Sequence, residues 1–588
     1  GAGEVWSEGG RGFAHRVIEG ACGVVASRSI VLIGLSSSFP LFFSVMAVFF
    51  RAGFNAVRRK GSLLGWSGPG HVQPCLFGFH RSFSRDADAS DVVGNADAYD
   101  YDLPEDLIAQ KPITWLDTDR AEVRRRDASR LLCVDVTDEG SHPIQFLRQC
   151  KFTDVASFLP KGSLLVANNT KVVHARLQMR KRTTGGAVEL LVVSPAEGSC
   201  ESGLSSGPAE ASATWKCMVK GKNVNEGTVL IKQHSSGVVL SATILKRSEE
   251  SSKFADVEFN WSVEGSSDSS GRKFGDVLEA LGSIPLPPYM KRAAETRDAE
   301  SYQTIYAGVP GSVAAPTAGL HFTEDLVGKL ERSRSICLEK VTLHTGPGTF
   351  VPLQSSKVQD HHMHTETFSV TREALANVCE YLREGKDGAK NLIAVGTTTV
   401  RTLETLYWLG LRRMLREPGG KPMDDATPLD QRDDEGKSKV LTFSLDQWEP
   451  YDVVRDACGQ DWSKLPDAWA CYQNLLEELD DQGKDGVLGQ TSLLIMPGYR
   501  FRVCDQLFTN FHAPKTTLML LVSAFASSSC GTQNDLGLLD RQGRQKVLHA
   551  YEQAVKHRFR FLSYGDACFF ARFKDLPSPM FEQATSLL

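Results

Sequence analysis

No two of the chain's thirteen cysteines are spaced CxxC. A zinc ribbon or a dithiol redox motif therefore has no support, and free thiols in a reducing compartment are expected. Neither GxGxxG nor GxxxxGK(S/T) occurs, so dinucleotide and P-loop readings lack their phosphate cradle. One long stretch lacks acid: Gly20 to Arg85 contains no Asp or Glu, while Arg28, Arg51, Arg58, Arg59, Lys60, Arg81 and Arg85 are basic. An acid-poor leader holding Arg and Ser is the pattern of an organellar transit peptide. Inside it, 30–50 is uncharged and of bilayer-spanning length, although Pro40 and four serines weaken it as a permanent anchor. Translation from upstream makes this a signal peptide before a transit peptide, as in a complex plastid. A start at Met46 makes it an Arg-rich presequence. Residues 1–98 are set apart as leader, and a plastid or mitochondrion is the expected address (the cytoplasm if the leader is not translated).

The 588 residues suffice for two to four domains, and 41% hydrophobic content is ordinary for a globular protein. The net charge of −5 argues weakly against a nucleic-acid partner. It is uneven, however: 405–489 alone hold eighteen acidic against ten basic residues, so the remainder is near neutral or slightly basic.

Folded sequence starts near YDYDLPEDLIAQ (99–110). A first α/β part covers 99–171, where SLLVANNTKVVHARL (163–177) reads as two strands around a polar turn at Asn168–Asn169–Thr170. Over 172–273 short β-rich runs alternate with Gly and Ser turns, which suits a small barrel or sandwich. The Ser/Gly-rich stretches 197–212 and 263–271 read as loops. Helix–strand alternation resumes over 274–409 and 489–588, giving an α/β layer with the β-rich unit inserted. The acidic 410–488 carries Trp448, Trp462 and Trp469 but no chemical motif, and is expected to be a surface expansion.

The candidate chemistry lies in loops. VAAPTAGLHFT (313–323) and HTGPGTF (344–350) mix small residues, hydroxyls and one histidine each. Thr317, Gly319, Gly346, Gly348 and Thr349 suit the wall of a small-molecule site. GTTTVRTLE (396–404) sets Thr397 and Thr398 between strand and helix, where amides and hydroxyls hold anions, with Arg401 one turn on. In DHHMHTETF, residues His362, His364 and Glu366 alternate, so on a strand they share a face and offer a metal triad. DQLFTNFHAPK gathers Asp505, Asn510, His512 and Lys515 above apolar Leu507, Phe508 and Phe511.

These segments, in this order, with TGGAVELLVV (184–193), PGYRFRVCDQLFTNFHAPKTTLMLLVSAFA (497–526) and RFLSYGDA (560–567), resemble the S-adenosylmethionine:tRNA ribosyltransferase-isomerases of queuosine biosynthesis. The resemblance covers roughly 99–405 and 489–575. It implies a three-layer α/β/α core with a mixed sheet and an inserted six-stranded β-barrel. It also implies transfer and isomerisation of the ribosyl part of S-adenosylmethionine onto 7-aminomethyl-7-deazaguanine at the tRNA wobble position. The products are epoxyqueuosine, adenine and methionine.

The implied partners are a tRNA with a GUN anticodon and S-adenosylmethionine as co-substrate. No further cofactor and no metal are expected, nor a stable membrane association, and the chain is expected to be a monomer. Two features depart from the family: Asn168-Asn169-Thr170-Lys171 stands where the family has Asn-Asp-Thr-Arg, and the acidic 410–488 is an addition.

The reaction needs a base to take a proton from the carbon beside the sulfonium, which points to His321, His344, His364 or His512, the first two foremost. Glu366 would favour the sulfonium, Arg401 the methionine carboxylate, and the Thr/Gly loops ribose and adenine. Asp505 and Asn510 would hold the deazaguanine edge. Lys291, Arg292, Arg500, Arg502 and Lys515 would meet tRNA phosphates. The alternatives are a metal-dependent enzyme built on His362, His364 and Glu366, and a tRNA-binding module with altered catalysis.

Overall fold

The computed structural model describes residues 94–571 apart from 116–124, 137–146, 197, 206–211, 236, 249–252, 264–271, 351, 385–390, 416–438 and 528–535. The leader up to residue 93, residues 197 and 206–211 of the first Ser/Gly-rich stretch and 264–271 of the second lie outside the described residues. Within the first, expected to be loop, Cys200–Ser205 is a short helix.

Strands β1 (Arg130–Asp135) and β2 (Leu147–Lys151) pair antiparallel at one edge of the main sheet, and β3 (Leu164–Asn168) lies inside it. The chain then leaves. β4 (Thr170–Val172) leads to β5 (Arg176–Lys181), β6 (Ala187–Pro195), β7 (Ser212–Lys220), β8 (Val229–Gln233), β9 (Val238–Arg247) and β10 (Phe254–Val263), which close a barrel in the order β10-β7-β6-β5-β8-β9. β11 (Val309–Ser312) runs parallel to β4. The main sheet resumes with β12 (Cys337–Leu343), β13 (Glu366–Thr371), β14 (Leu392–Val395), β15 (Val440–Leu445), β16 (Gly486–Thr491), β17 (Gln506–Asn510) and β18 (Ala567–Ala571). Its order is β15-β16-β13-β12-β3-β14-β17-β18-β1-β2. The expected α/β/α core and six-stranded barrel are both present.

The central strands β12, β3, β14 and β17 are parallel. Buried from both sides, β3 and β14 are apolar almost throughout, without the alternation of a half-exposed strand. Leu165, Ala167, Ile393, Val395 and Phe508 pack with Phe322, Leu326 and Leu330 on one face. Leu164, Val166, Leu392 and Ala394 pack with Val400, Leu403 and Tyr407 on the other. After β3 the chain places β12 on one side of it and β14 on the other. That reversal opens a crevice outside the carboxyl ends of the strands, where ligands of such sheets bind.

The barrel is a packed plug rather than a channel. Phe274, on the Phe274–Leu281 helix, lies 5.1 Å from Phe259, 5.5 Å from Trp261 and 5.6 Å from Trp215.

Two expectations change. The break at Asn168 is no surface turn: Asn168 is fully buried, and β4 continues into a second sheet. Nor is 410–488 a surface expansion. β15 pairs with β16 at the sheet edge, burying Leu441, Phe443 and Leu445. Within the Ala468–Gln482 helix, the buried Tyr472 hydroxyl donates to the Leu403 carbonyl at 2.9 Å. The segment's acids conceal an apolar inner face.

Candidate functional site

A cleft of about 570 Å³, its open mouth included, lies at the crevice. Gly348, Thr349, His361, Met363, His364, Glu366, Thr397, Thr398 and Arg401 line one part of it, and Leu493, Leu494, Ile495, Leu518 and Leu521 an apolar part. Seven residues expected from sequence therefore converge: Gly348, Thr349, His364, Glu366, Thr397, Thr398 and Arg401. Thr397 and Thr398 open the long helix Thr397–Met414, whose preceding Gly396 has φ +92°, a conformation cheap only for glycine. A side chain at Gly348 would begin 2.0 Å from the His364 ring, so glycine there lets that imidazole lie against the loop.

Glu366 and Arg401 form a buried ion pair. One Glu366 oxygen meets Arg401, and the other accepts from Gly346 N and Thr349 Oγ1, each at 3.3 Å. Arg401 also donates to the carbonyls of Leu493 and Thr491, at 3.1 and 3.3 Å. Glu366, expected beside the sulfonium, and Arg401, expected on the methionine carboxylate, thus pair with each other at the cleft wall.

The four histidines divide. His364 is exposed and lines the cleft. His321 is buried outside it, bonded through Nδ1 to Ser129 Oγ at 2.8 Å and through Nε2 to Asn510 Nδ2 at 3.3 Å. Thr317 donates to Asn510 Oδ1 at 2.7 Å, which fixes the amide orientation and makes the His321 Nε2 an acceptor. Burial, then the charges of Arg560 and Arg126, lowers His321 to about 3. Burial does the same to His512, bonded to Thr509 Oγ1 at 2.8 Å. Groups so depressed are poor bases near neutrality, so His321 positions Asn510.

His344 is held by Thr170 Oγ1 at 2.8 Å and by Glu201 at 3.3 Å. Glu201 lies on the Cys200–Ser205 helix between β6 and β7, so this contact joins the barrel insertion to the end of β12, inside the main sheet. The Asn168 amide donates to Thr398 Oγ1 at 3.2 Å, and its oxygen accepts from Thr170 N at 3.1 Å. Asn169 accepts from the Thr342 hydroxyl at 2.7 Å, a contact a carboxylate would also make.

Two further sets of expected residues make contacts within the protein. Asp505 accepts from Leu392 N at 2.8 Å, at the start of β17; Asn510 ends that strand, about 16 Å away at strand rise. The proposed phosphate contacts are engaged within the protein. Arg292 makes a bidentate pair with Asp298 at 2.6 and 2.8 Å, and Arg502 donates to the Leu465 and Pro466 carbonyls. Lys291 pairs with Glu105 at 2.9 Å, Lys515 with Asp97 and Asp100 at 2.9 and 3.0 Å, and Arg500 donates weakly to the Ser527 carbonyl. The metal triad loses its premise because β13 begins only at Glu366, so His362 and His364 are not on a strand. Among the described residues no group of three or more His, Cys, Asp or Glu is placed so that it could hold a metal ion.

Sequence reasoning missed His361 and the 493–495 wall. His361 is held below the usual imidazole range by burial and then by neighbouring His364 and His362. No local motif marks that wall, because the fold alone brings 493–495 beside the Thr397–Met414 helix.

Fold and cleft define an α/β enzyme with a crevice site at the sheet's switch point. The chain belongs to the queuosine biosynthesis protein family, whose model matches residues 96–427 and 472–570. It is also similar to a crystal structure of the S-adenosylmethionine tRNA ribosyltransferase from Thermotoga maritima: 26% identity, 80% of this chain and 99% of that chain covered, TM-score 0.33.

Proposed function

We propose that the chain transfers and isomerises the ribosyl moiety of S-adenosylmethionine onto 7-aminomethyl-7-deazaguanine at the wobble position of a GUN-anticodon tRNA. Epoxyqueuosine-tRNA forms, and adenine and methionine leave. The observation that carries this is the family match together with a cleft built from the motifs that carry the family resemblance. The apolar part, Leu493–Ile495 with Leu518 and Leu521, suits adenine and the methionine chain. The first turn of the Thr397–Met414 helix suits a carboxylate. The sulfonium acidifies the adjacent ribose 5′ carbon, and His364, exposed at the cleft, takes that proton. The electron pair left on that carbon starts the rearrangement: the amine adds to the ribosyl skeleton as the nucleophile and gives up one proton, adenine leaves from the 1′ carbon, and methionine leaves from the 5′ carbon with the sulfonium's bonding electrons.

The test is adenine release from purified full chain, S-adenosylmethionine and an anticodon stem-loop carrying 7-aminomethyl-7-deazaguanine, read by chromatography with mass detection. RNA-dependent adenine with epoxyqueuosine in the RNA is expected, and His364→Asn lowers kcat about 10²- to 10⁴-fold. RNA binding without adenine would favour the altered-module reading instead.

The acid-poor leader supports plastid or mitochondrial delivery, checked by the address of a fluorescent protein fused to residues 1–98. A monomer without stable membrane association fits a described surface on which the exposed large hydrophobics are Leu245 and Leu415. Among the described residues no helix is long and apolar enough to cross a membrane. Sedimentation of the purified chain reads its oligomeric state.

A further inference from the structure

We propose that the hydroxyls of Tyr306 and Thr304 are hydrogen-bonding groups for the nucleobase substrate, taking the role expected of Asp505. Tyr306 is 9% and Thr304 6% exposed, and neither hydroxyl oxygen has a hydrogen-bond partner among the described residues. A buried hydroxyl left unpaired costs about 1–3 kcal/mol. Phenylalanine at 306 would keep the packing and avoid that cost, so packing does not explain the hydroxyl.

Place supplies the second argument. A side chain at Gly319 would begin 2.1 Å from Tyr306 Oη and 2.8 Å from Thr304 Cγ2. The two residues therefore back the short turn Thr317–His321, in which Thr317 and His321 both bond Asn510. The same turn borders the cleft's helix start, since a side chain at Gly396 would begin 3.8 Å from Ala318 Cβ. Tyr306 otherwise packs in an apolar cluster with Ala318, Val395 and Phe508. Apolar walls with a few neutral groups, each able to donate and accept, suit the faces and edge of a heteroaromatic ring rather than a phosphate.

The inference rests on the proposed function but is tested by binding, so the two can fail separately. Full-length wild type, Tyr306→Phe and Thr304→Val are titrated by fluorescence anisotropy with two anticodon stem-loops. One carries 7-aminomethyl-7-deazaguanine at the wobble position, the other an abasic site there. Wild type is expected to prefer the base-containing RNA. Tyr306→Phe should weaken that RNA about tenfold, leave the abasic RNA unchanged and not lower the Tm. Thr304→Val should act in the same direction.

Unchanged affinity for both RNAs in both variants would overturn the inference, leaving solvent as the hydroxyls' partner. So would a lowered Tm in Tyr306→Phe, which would reveal a structural bond. A wild type indifferent to the base overturns it as well. Absence of adenine release from wild type counts against the proposed reaction alone.

Discussion

At the residue scale, the buried histidines show how context decides chemistry. The sequence places His321 and His512 in loops rich in polar neighbours, which reads as reactive. Folding surrounds them with core instead: Phe152 lies 5.2 Å from the His321 ring. With Nε2 accepting from Asn510, the imidazole cannot take a second proton without losing that bond. Both histidines fall to about 3 in the folded chain, against about 6.5 unfolded. A depressed folded value means the unfolded chain binds protons first on acidification. Each therefore contributes stability that is complete above about pH 6.5 and declines as pH falls toward 3, by about 1.4 kcal/mol per pH unit. Glu404, raised by burial, works in the opposite direction, losing stability as pH rises. The informative comparison is therefore between variants. Urea midpoints at pH 7.5 and 5.5 should separate by less in His321→Gln than in wild type, and equal separations would contradict the depressed value. What the sequence could show was residue type and proximity in a motif. Burial depth, which turned a candidate base into a positioning group, belongs to tertiary structure.

At the element scale, the Thr397–Met414 helix was legible from its Gly-Thr-Thr-Thr start and its apolar spacing. The partner of its far end was not. Gly410 reads as a weak point in a helix, worth about 1 kcal/mol against alanine. In the structure it is a crossing point: a side chain there would begin 2.0 Å from the Cys471 carbonyl oxygen and 2.6 Å from its carbonyl carbon. Arg413 reinforces the crossing through Glu478 and a 3.2 Å contact with Asp481. Gly410→Ala gains helix propensity and loses this approach. Rigid backbone cannot yield as a side-chain tip can, so overpacking at about 1–3 kcal/mol prevails. The urea midpoint is expected to fall, and a rise would mean that the two helices separate without cost. The barrel was legible for a complementary reason. Its strands alternate inward apolar and outward polar residues, as in β9, where Val238, Leu240, Ala242 and Ile244 are buried, and that period survives without knowledge of the partner strand.

At the scale of the whole molecule, the sheet extends beyond what motifs or family likeness mark. Residues 428–471 lie outside the family match, yet they supply β15 and the Glu449–Cys458 helix. Tyr499 binds this addition to the core: its hydroxyl accepts from Trp408 Nε1 at 2.8 Å and donates to buried Glu404 at 2.9 Å, and its ring lies 5.3 Å from Trp462. Net charge was a misleading guide because it sums over faces, whereas burial is decided face by face. A dispensable surface graft could be removed without effect. The structure implies the contrary for 440–466. Replacing that stretch by a short Gly/Ser linker bares the outer edge of β16, which β15 pairs along its length, and uncovers Trp408 and Tyr499. An unpaired, largely buried strand suddenly exposed invites edge-to-edge association. The shortened chain should melt at a lower temperature, bind a hydrophobic dye and sediment as oligomers. A monomer with the parent's melting temperature would show that the ten-stranded sheet is complete at nine strands, with β16 serving as its natural edge.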